Sequence, residues 1–188
     1  MRANRLRSFE MVAALLLGTG MAVAGSAPTA LPPSDEAVAK EVRHEIVMYP
    51  HYTIFDNVAF RLNQGSVELL GAVTQPYKKS DLGKTIERLP GVTGVKNDLE
   101  VLPLSDMDNR LRMQIARAIY RDPSLSTLGN QALPPIHIIV DSGHVTLEGV
   151  VNTELQKQVA GMRASSTGLS FGPVVNNLRV ENPPAHQG

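Results

Sequence analysis

Several residue types are missing or scarce in this chain of 188 residues. Cysteine and tryptophan are absent, and aromatic residues make up 4% of the sequence. Without cysteine the chain has no disulfide bonds, no thiol catalysis, no thiolate metal ligands and no lipid-modified N-terminal cysteine. Few rings are available for stacking on bases or sugars. Because the formal net charge is zero, no overall field attracts nucleic acid.

The motifs of common enzyme classes are also absent. The sequence contains no HExxH, no Walker loop, no GxSxG and no dinucleotide-binding glycine fingerprint after a strand. We therefore expect a protein without catalytic residues, cofactor or bound metal, and a hydrolase or metal enzyme is kept as an alternative. His137 and His144 flank one hairpin close to Asp141 and Glu148. Their spacing matches no zinc pattern, so we interpret them as ordinary surface histidines.

The N-terminal residues have the pattern of an export signal. Arg2, Arg5 and Arg7 precede an apolar run over residues 11–24, which ends in the small-x-small triplet of residues 22–24. The run is shorter than the roughly 20 residues that span a bilayer. We predict a signal peptide over residues 1–24, cleaved on export to the periplasm. A retained membrane anchor is the alternative.

Two further segments lack any hydrophobic periodicity. Residues 25–34 are rich in proline, alanine and serine, which predicts a flexible tether. Residues 183–188 are predicted to be a disordered tail. The patterned part of the chain lies between these two segments.

The patterned part contains an internal repeat. Residues 65–73 match residues 143–151 at an offset of 78, and residues 95–101 match residues 174–180 at an offset of 79. Upstream, apolar residues with helical spacing recur at an offset of 73: Val38, Val42 and Ile46 correspond to Leu111, Ile115 and Ile119. The change in offset indicates a five-residue insertion around Leu128 to Pro135, expected to be a surface loop. We predict two domains, over residues 35–103 and 107–182.

Each repeat has the same order of predicted elements. A helix, two strands joined by a hairpin turn, a second helix and a last strand follow one another, which is an α+β domain with a three-stranded sheet packed by two helices. Gly65 and Gly143 occupy the turn positions. Ser34 or Asp35 is the expected cap of the first helix, and Asp108 is the expected cap in the second repeat. The linker over residues 102–106 is short enough for the domains to touch.

The repeated motif resembles the BON domain family. The resemblance rests on G-x-V-x-L-x-G-x-V followed, after a helix containing lysine, by V-x-N-x-L-x-V, and the motif residues with structural roles are Gly65, Gly71, Asn97, Gly143, Gly149 and Asn176. The second copy departs from the pattern at Ser170 and Phe171, which stand where Gly-Val is expected. The resemblance implies a protein of the bacterial cell envelope that binds phospholipid membranes or supports the envelope under osmotic stress. The two asparagines are expected to bond backbone at the last strand, with ligand binding as the alternative.

One predicted helix carries a basic face. Arg110, Arg117 and Arg121 lie within about 40° of each other at 100° per residue, with Met113 and Tyr120 beside them. Such a face can engage anionic lipid headgroups while its apolar neighbours insert slightly. These five residues are therefore the candidate lipid-binding site. The alternative is that the arginines, Arg112 included, only solvate the helix.

These observations predict an exported, non-enzymatic envelope protein. Its expected partner is an anionic phospholipid surface, bound peripherally. The alternative is a periplasmic module that docks another envelope protein through a sheet face or a strand edge.

Overall fold

The structure is a computed structural model that describes residues 33–168 and 170–181. The predicted signal peptide, nearly all of the predicted tether and the predicted tail lie outside the described residues. The elements of the first domain are α1 (Asp35–Met48), β1 (Asn57–Asn63), β2 (Ser66–Val73), α2 (Pro76–Glu87), β3 (Gly94–Asn97) and β4 (Glu100–Val101). Those of the second domain are α3 (Asp106–Tyr120), α4 (Ser126–Gly129), β5 (Ile136–Asp141), β6 (His144–Val151), α5 (Glu154–Ser165), β7 (Val175–Asn176) and β8 (Arg179–Val180).

The two sheets have the same topology. In the first domain β1 pairs antiparallel with β2, and β3 and β4 both pair parallel with β2 on its other side. In the second domain β5, β6, β7 and β8 repeat this arrangement. The parallel strand is therefore a single strand in two pieces. The predicted α+β class and the two domains of small sheets packed by helices are confirmed.

An asparagine side chain interrupts the parallel strand. Asn97 Nδ2 donates to the Lys79 carbonyl of α2 at 2.7 Å, and Asn97 Oδ1 accepts from Leu99 N at 3.3 Å. The side chain thus links the strand to the helix and turns the backbone so that Leu99 enters the core. Asn176 makes the same pair of bonds in the second domain. The facing helix carries Gly83, where a Cβ would lie 2.7 Å from Asn97 Nδ2.

Each domain has its own apolar core between its helices and its sheet. The buried core residues of the first domain are Val38, Val42, Ile46, Val67, Leu69, Val73, Leu82, Ile86 and Leu99. Those of the second domain are Leu111, Ile115, Ile119, Leu125, Leu128, Ile136, Ile138, Val140, Val145, Leu147, Val151, Ala160, Ala164 and Leu178. The second core is larger because Leu125, Leu128 and the three apolar residues of β5 are fully buried, whereas the equivalent residues of β1 are only partly buried.

The insertion predicted around Leu128 to Pro135 is a surface loop over most of its length, since residues 129–135 are exposed or half-buried. Its first residue, Leu128, lies in the short helix α4 and is buried in the core, as is Leu125 just before that helix. These two leucines remove apolar side chains from water and so fix the start of the loop on the domain.

An aspartate near the start of the first helix of each domain fixes the hairpin turn. Asp35 accepts from the backbone amides of Gln64 and Gly65, and Asp108 accepts from those of Ser142 and Gly143. Both turns have two successive residues with positive φ, the geometry of a type I′ hairpin. Asp108 is therefore not the helix cap. Ser105 is the cap, since its side chain accepts from Asp108 N, as Ser34 accepts from Ala37 N.

Gly71 and Gly149 lie close to the partner strand at the end of each hairpin away from its turn, opposite Val58 and Ile136. Their φ values are 110° and 119°, a region that residues with a Cβ rarely adopt. A Cβ would also lie 2.1 Å from the Asn57 carbonyl oxygen at Gly71, and 2.0 Å from the Pro135 carbonyl oxygen at Gly149. Both motif glycines are therefore required by the backbone of the sheet.

Candidate functional site

The outer face of α3 presents three arginines. Arg110, Arg117 and Arg121 are all exposed, while the opposite face of the helix packs on β5 and α5. Within residues 33–168 and 170–181, none of the three guanidinium groups lies within 4.0 Å of a carboxylate oxygen. Their charges are therefore available to an external anion. We call these three residues the basic stripe.

Exposed apolar side chains border the basic stripe. Met113 lies on one flank and Met107 on the other, each about 60° from Arg110 at 100° per residue, and both are exposed. Leu104, just before the helix, is 71% exposed. Sequence reasoning found Met113 but missed Met107 and Leu104. Met107 stands three residues before Arg110, and this helical spacing could have placed it beside the basic stripe.

Tyr120 does not belong to this surface. Its ring packs against the core of the second domain, and its hydroxyl donates to the Ile136 carbonyl at 2.8 Å. Burial raises the pKa of Tyr120. The assignment of Tyr120 to lipid contact is therefore corrected, because both its ring and its hydroxyl are engaged inside the domain.

Arg112 is the fourth arginine of α3 and is buried. Its guanidinium donates to Asn109 Oδ1 at 2.7 Å and to the Val140 carbonyl, while Nε has no partner among the described residues. Burial lowers the pKa of Arg112, and the carboxylates of Asp108, Asp56 and Asp141 oppose this shift. Arg112 therefore contributes to the fold of the domain and not to the basic stripe.

His137 is likewise buried. Its Nδ1 donates to the Asp56 carbonyl at 2.6 Å, and its ring centroid lies 5.6 Å from that of Tyr52. Burial lowers the pKa of His137, although the backbone and charge of Asp56 act in the other direction. The interpretation as a surface histidine was wrong for His137 because this side chain joins the two domains, whereas His144 is exposed. Among the described residues, no cluster of potential ligands could hold a metal ion.

Asp56 is the centre of a buried polar network. Its carboxylate accepts from the amides and hydroxyls of Thr53 and Thr74, and from Lys78 Nζ at 2.7 Å. Burial acts to raise the pKa of Asp56, but Lys78 and the threonine donors outweigh it and the pKa is lowered. The positions 78 residues on from Asp56, Thr74 and Lys78 hold Pro134, Asn152 and Gln156 in the second domain, and none of these residues is charged. Only the first domain therefore builds this network around an ion pair.

The network holds a loop against the second domain. We call residues 52–56 the docking loop. Ile138 N of β5 donates to the Ile54 carbonyl at 2.7 Å, and the side chains of Ile54 and Phe55 pack against the core of the second domain. The first domain thus places a turn, closed by the bond from Asp56 N to the Thr53 carbonyl, against the outer edge of β5.

The outer faces of the two sheets line a shared crevice. Leu70 and Ala72 from β2, and Ile139 and Thr146 from the second sheet, contribute to its walls. Each outer face is therefore close to the other domain, which leaves less free sheet surface than the sequence suggested.

Comparison with known proteins identifies the family. The BON domain matches twice, over residues 34–103 and 107–182. The chain belongs to the BON domain family. The two domains are accordingly BON domains 1 and 2, as the resemblance implied. Family membership indicates a protein of the cell envelope, either periplasmic or membrane-associated.

Solved structures show a more distant likeness. Two structures of CdsD, a structural protein of the type III secretion system of Chlamydia trachomatis, match at 20% and 19% identity, with TM-scores of 0.29 and 0.30. The matches cover 77% and 79% of this chain, and 61% and 67% of those chains. At these TM-scores the likeness carries no argument about function. A comparison with curated proteins found no match. No helix in the described part of the chain has the length and hydropathy of a membrane-spanning segment.

Proposed function

We propose that this tandem BON protein is an exported, non-enzymatic component of the cell envelope that binds anionic phospholipid surfaces peripherally through α3 of BON domain 2. The observation that carries the proposal is the basic stripe: three exposed guanidinium groups on one helix face, without ion pairs in the described residues, bordered by exposed methionines. The non-enzymatic part of the proposal rests on the sequence, which carries none of the enzyme motifs sought.

The chemistry of the stripe suits a lipid headgroup layer. Each basic residue near an anionic surface contributes about 1 kcal/mol, and the effect decays within a Debye length of about 8 Å at physiological ionic strength. Met107 and Met113 are flexible apolar side chains that can enter the headgroup region on either side of the arginines. Three such charges with two flanking methionines give weak, reversible binding.

The equivalent helix of BON domain 1 lacks this character. The exposed surface of α1 carries Glu36 and Glu41 together with Lys40 and Arg43. Because the charges alternate in sign, an anionic surface gains little from this helix. The proposal therefore assigns lipid binding to BON domain 2.

Vesicle co-sedimentation of the purified mature protein tests the proposal. We expect recovery with vesicles that contain anionic lipid and little recovery with neutral vesicles. Arg117→Glu combined with Arg121→Glu replaces two cations with two anions, so binding should weaken by more than about tenfold. Raising the salt concentration should have the same effect, since the interaction is screened.

A matched control separates the stripe from overall charge. Lys40→Glu combined with Lys84→Glu produces the same change in net charge on exposed positions of BON domain 1. This control should bind as the wild type does. Equal losses in both variants, or equal binding of the wild type to neutral and anionic vesicles, would contradict the proposal.

A further inference from the structure

The outer edge of β5 in BON domain 2 is closed. Its residues Ile136, Ile138 and Val140 direct their backbone groups away from β6, and each has one of its two groups engaged. The Ile136 carbonyl accepts from Tyr120, the Ile138 amide donates to Ile54 of the docking loop, and the Val140 carbonyl accepts from Arg112. Two side chains of α3 and one loop thus occupy half of the backbone groups that a neighbouring strand would bond.

The outer edge of β1 in BON domain 1 occupies the same place in the fold. The register is equivalent, since Phe60 lies opposite Leu69 as Ile138 lies opposite Leu147, 78 residues on. On this edge the Val58 amide donates to the Tyr52 hydroxyl at 3.3 Å. Within the described residues, the carbonyl of Val58 and both backbone groups of Phe60 and Leu62 have no partner. The edge of β1 is therefore open.

The helix explains why this edge is open. At the α1 positions equivalent to Arg112 and Tyr120, 73 residues earlier, the chain has Ala39 and Val47. Neither side chain has a donor that could reach a strand carbonyl. Val47 is 49% exposed, whereas the equivalent Tyr120 packs on its core.

The side chains of β1 are also incompletely covered. Val58, Phe60 and Leu62 pack against the first core but remain half-buried. Their equivalents Ile136, Ile138 and Val140 are fully buried. The open backbone of β1 therefore lies beside apolar surface that is still accessible.

We propose that the open edge of β1 binds an extended segment of a partner protein by strand addition, and that this segment carries apolar side chains and a carboxylate. The apolar side chains of the partner segment are inferred from BON domain 2, where Ile54 and Phe55 of the docking loop lie at the equivalent edge. The carboxylate of the partner segment is inferred from Arg43. The guanidinium group of Arg43 lies 5.9 Å from the Phe60 ring centroid and makes no ion pair within the described residues. Exposed unpaired strand edges are common docking sites for extended peptides.

A second copy of this chain is a poorer occupant. Pairing two β1 edges across a two-fold axis would bring both Arg43 side chains to one interface. Like charges across an interface oppose association. The charge on this edge therefore favours an acidic partner segment. The site lies on BON domain 1 and is independent of the proposed lipid surface.

The chain itself supplies a probe for this site. A capped peptide of residues 51–57 contains the docking loop, with its two apolar residues and Asp56. We expect this peptide, added at millimolar concentration to isotope-labelled full-length mature protein, to shift the amide resonances of Phe60 and Leu62. It should also slow the hydrogen exchange of these two amides. Replacing the aspartate of the peptide with asparagine should weaken the binding.

A variant that closes the edge provides the control. Ala39→Arg combined with Val47→Tyr installs in α1 the two side chains that close β5. This variant should bind the peptide about tenfold more weakly or worse, since ladder hydrogen bonds are lost, and its vesicle binding should equal that of the wild type. Arg43→Glu, an exposed substitution, should also weaken binding of the acidic peptide and keeps the test valid if the double variant does not fold.

Three results would overturn the inference. The first is that no amide of β1 responds to the peptide. The second is that the response lies at Ile138, so that the peptide displaces the docking loop in BON domain 2. The third is a concentration-dependent dimer of the wild type that protects the Phe60 amide, which would make a second copy the occupant.

Discussion

The first strands of the two BON domains have the same register and topology but different outer edges. That of β5 is closed by Arg112, Tyr120 and the docking loop, and that of β1 is open beyond its first amide. The difference arises from side chains of the preceding helix and from the docking loop, and not from the topology of the sheet. Two copies of one fold can thus have different docking capacity without any change in topology.

The largest expected effect concerns the buried ion pair of BON domain 1, which has no counterpart in the part of BON domain 2 that the structure describes. Asp56→Ala removes the partner of buried Lys78 and should lower the free energy of unfolding by about 3–5 kcal/mol, as measured by urea denaturation. The residue of BON domain 2 equivalent to Lys78 is Gln156, and Gln156→Ala removes the hydrogen bond that its Oε1 accepts from the Asn152 amide. Because that bond is neutral and exposed, its loss should cost about 1 kcal/mol.

A double variant sharpens this contrast between the domains. Asp56→Asn combined with Lys78→Gln replaces the ion pair of BON domain 1 with two neutral amides, and BON domain 2 likewise has no charge at the two equivalent positions, Pro134 and Gln156. We expect it to be more stable than Asp56→Ala, since no unpaired charge stays buried. If the single and double variants were equally unstable, the ion pair would not be the source of the difference.

The next largest loss of stability should be equal in the two domains. Gly71→Ala and Gly149→Ala each force a Cβ against a carbonyl oxygen at positive φ. We expect each to cost about 1–3 kcal/mol in thermal or urea unfolding. Gly94→Ala is the control, because a Cβ there meets nothing within 4 Å. A large effect in only one domain would show that the two hairpins are not equivalent.

A smaller effect concerns closure of the two edges. Tyr120→Phe removes the hydroxyl that bonds the Ile136 carbonyl, and should lower the free energy of unfolding by about 1 kcal/mol. Val47→Tyr adds the equivalent hydroxyl to BON domain 1 and should raise the free energy of unfolding by a similar or smaller amount. Val47→Phe, which lacks the hydroxyl, is the control for added apolar area. If Val47→Tyr were no more stable than Val47→Phe, the α1 position would not reach the strand.

The smallest effect is a pH dependence at the domain contact. Because burial lowers the pKa of His137 in the folded protein, the unfolded chain binds a proton first as the pH falls below the ordinary histidine pKa of about 6.5. The stabilising contribution is therefore complete above that pH and is lost as the pH falls through the folded pKa. The carboxylates near this ring, Asp56 and Glu148, oppose the lowering.

A substitution without a titrating group tests this pH dependence. His137→Gln should lose less stability than the wild type between pH 7 and about pH 5, measured by urea unfolding at each pH. His144→Gln, at an exposed position, should titrate as the wild type does. A wild-type profile that rises as the pH falls would contradict the assigned direction.

The sequence predicted the fold well because its signals are local and repeated. Core residues with a spacing of four and the hairpin glycines recur at fixed offsets, and each reports on backbone geometry that a short segment determines. The cap at Asp108 was misassigned because Ser105, a competing cap, lies three residues earlier, which frees the aspartate to bond the distant turn.

The candidate site was predicted only in part. Helical spacing located Arg110, Arg117 and Arg121 on an exposed face, because amphipathicity is a local property. It could not show that Tyr120 and Arg112 reach strand carbonyls, or that His137 contacts the docking loop, since those contacts join segments far apart in the chain. Tertiary hydrogen bonds of this kind leave no periodic signal in the sequence.

Amide hydrogen exchange at Phe60 and Ile138 tests the central comparison most directly. The two amides occupy equivalent positions on β1 and β5, but only Ile138 N has a backbone partner, the Ile54 carbonyl at 2.7 Å. In the full-length mature protein without ligand, we predict fast exchange at Phe60 and exchange at Ile138 as slow as in the core strands. Equal protection of the two amides, or stronger protection of Phe60, would contradict the account.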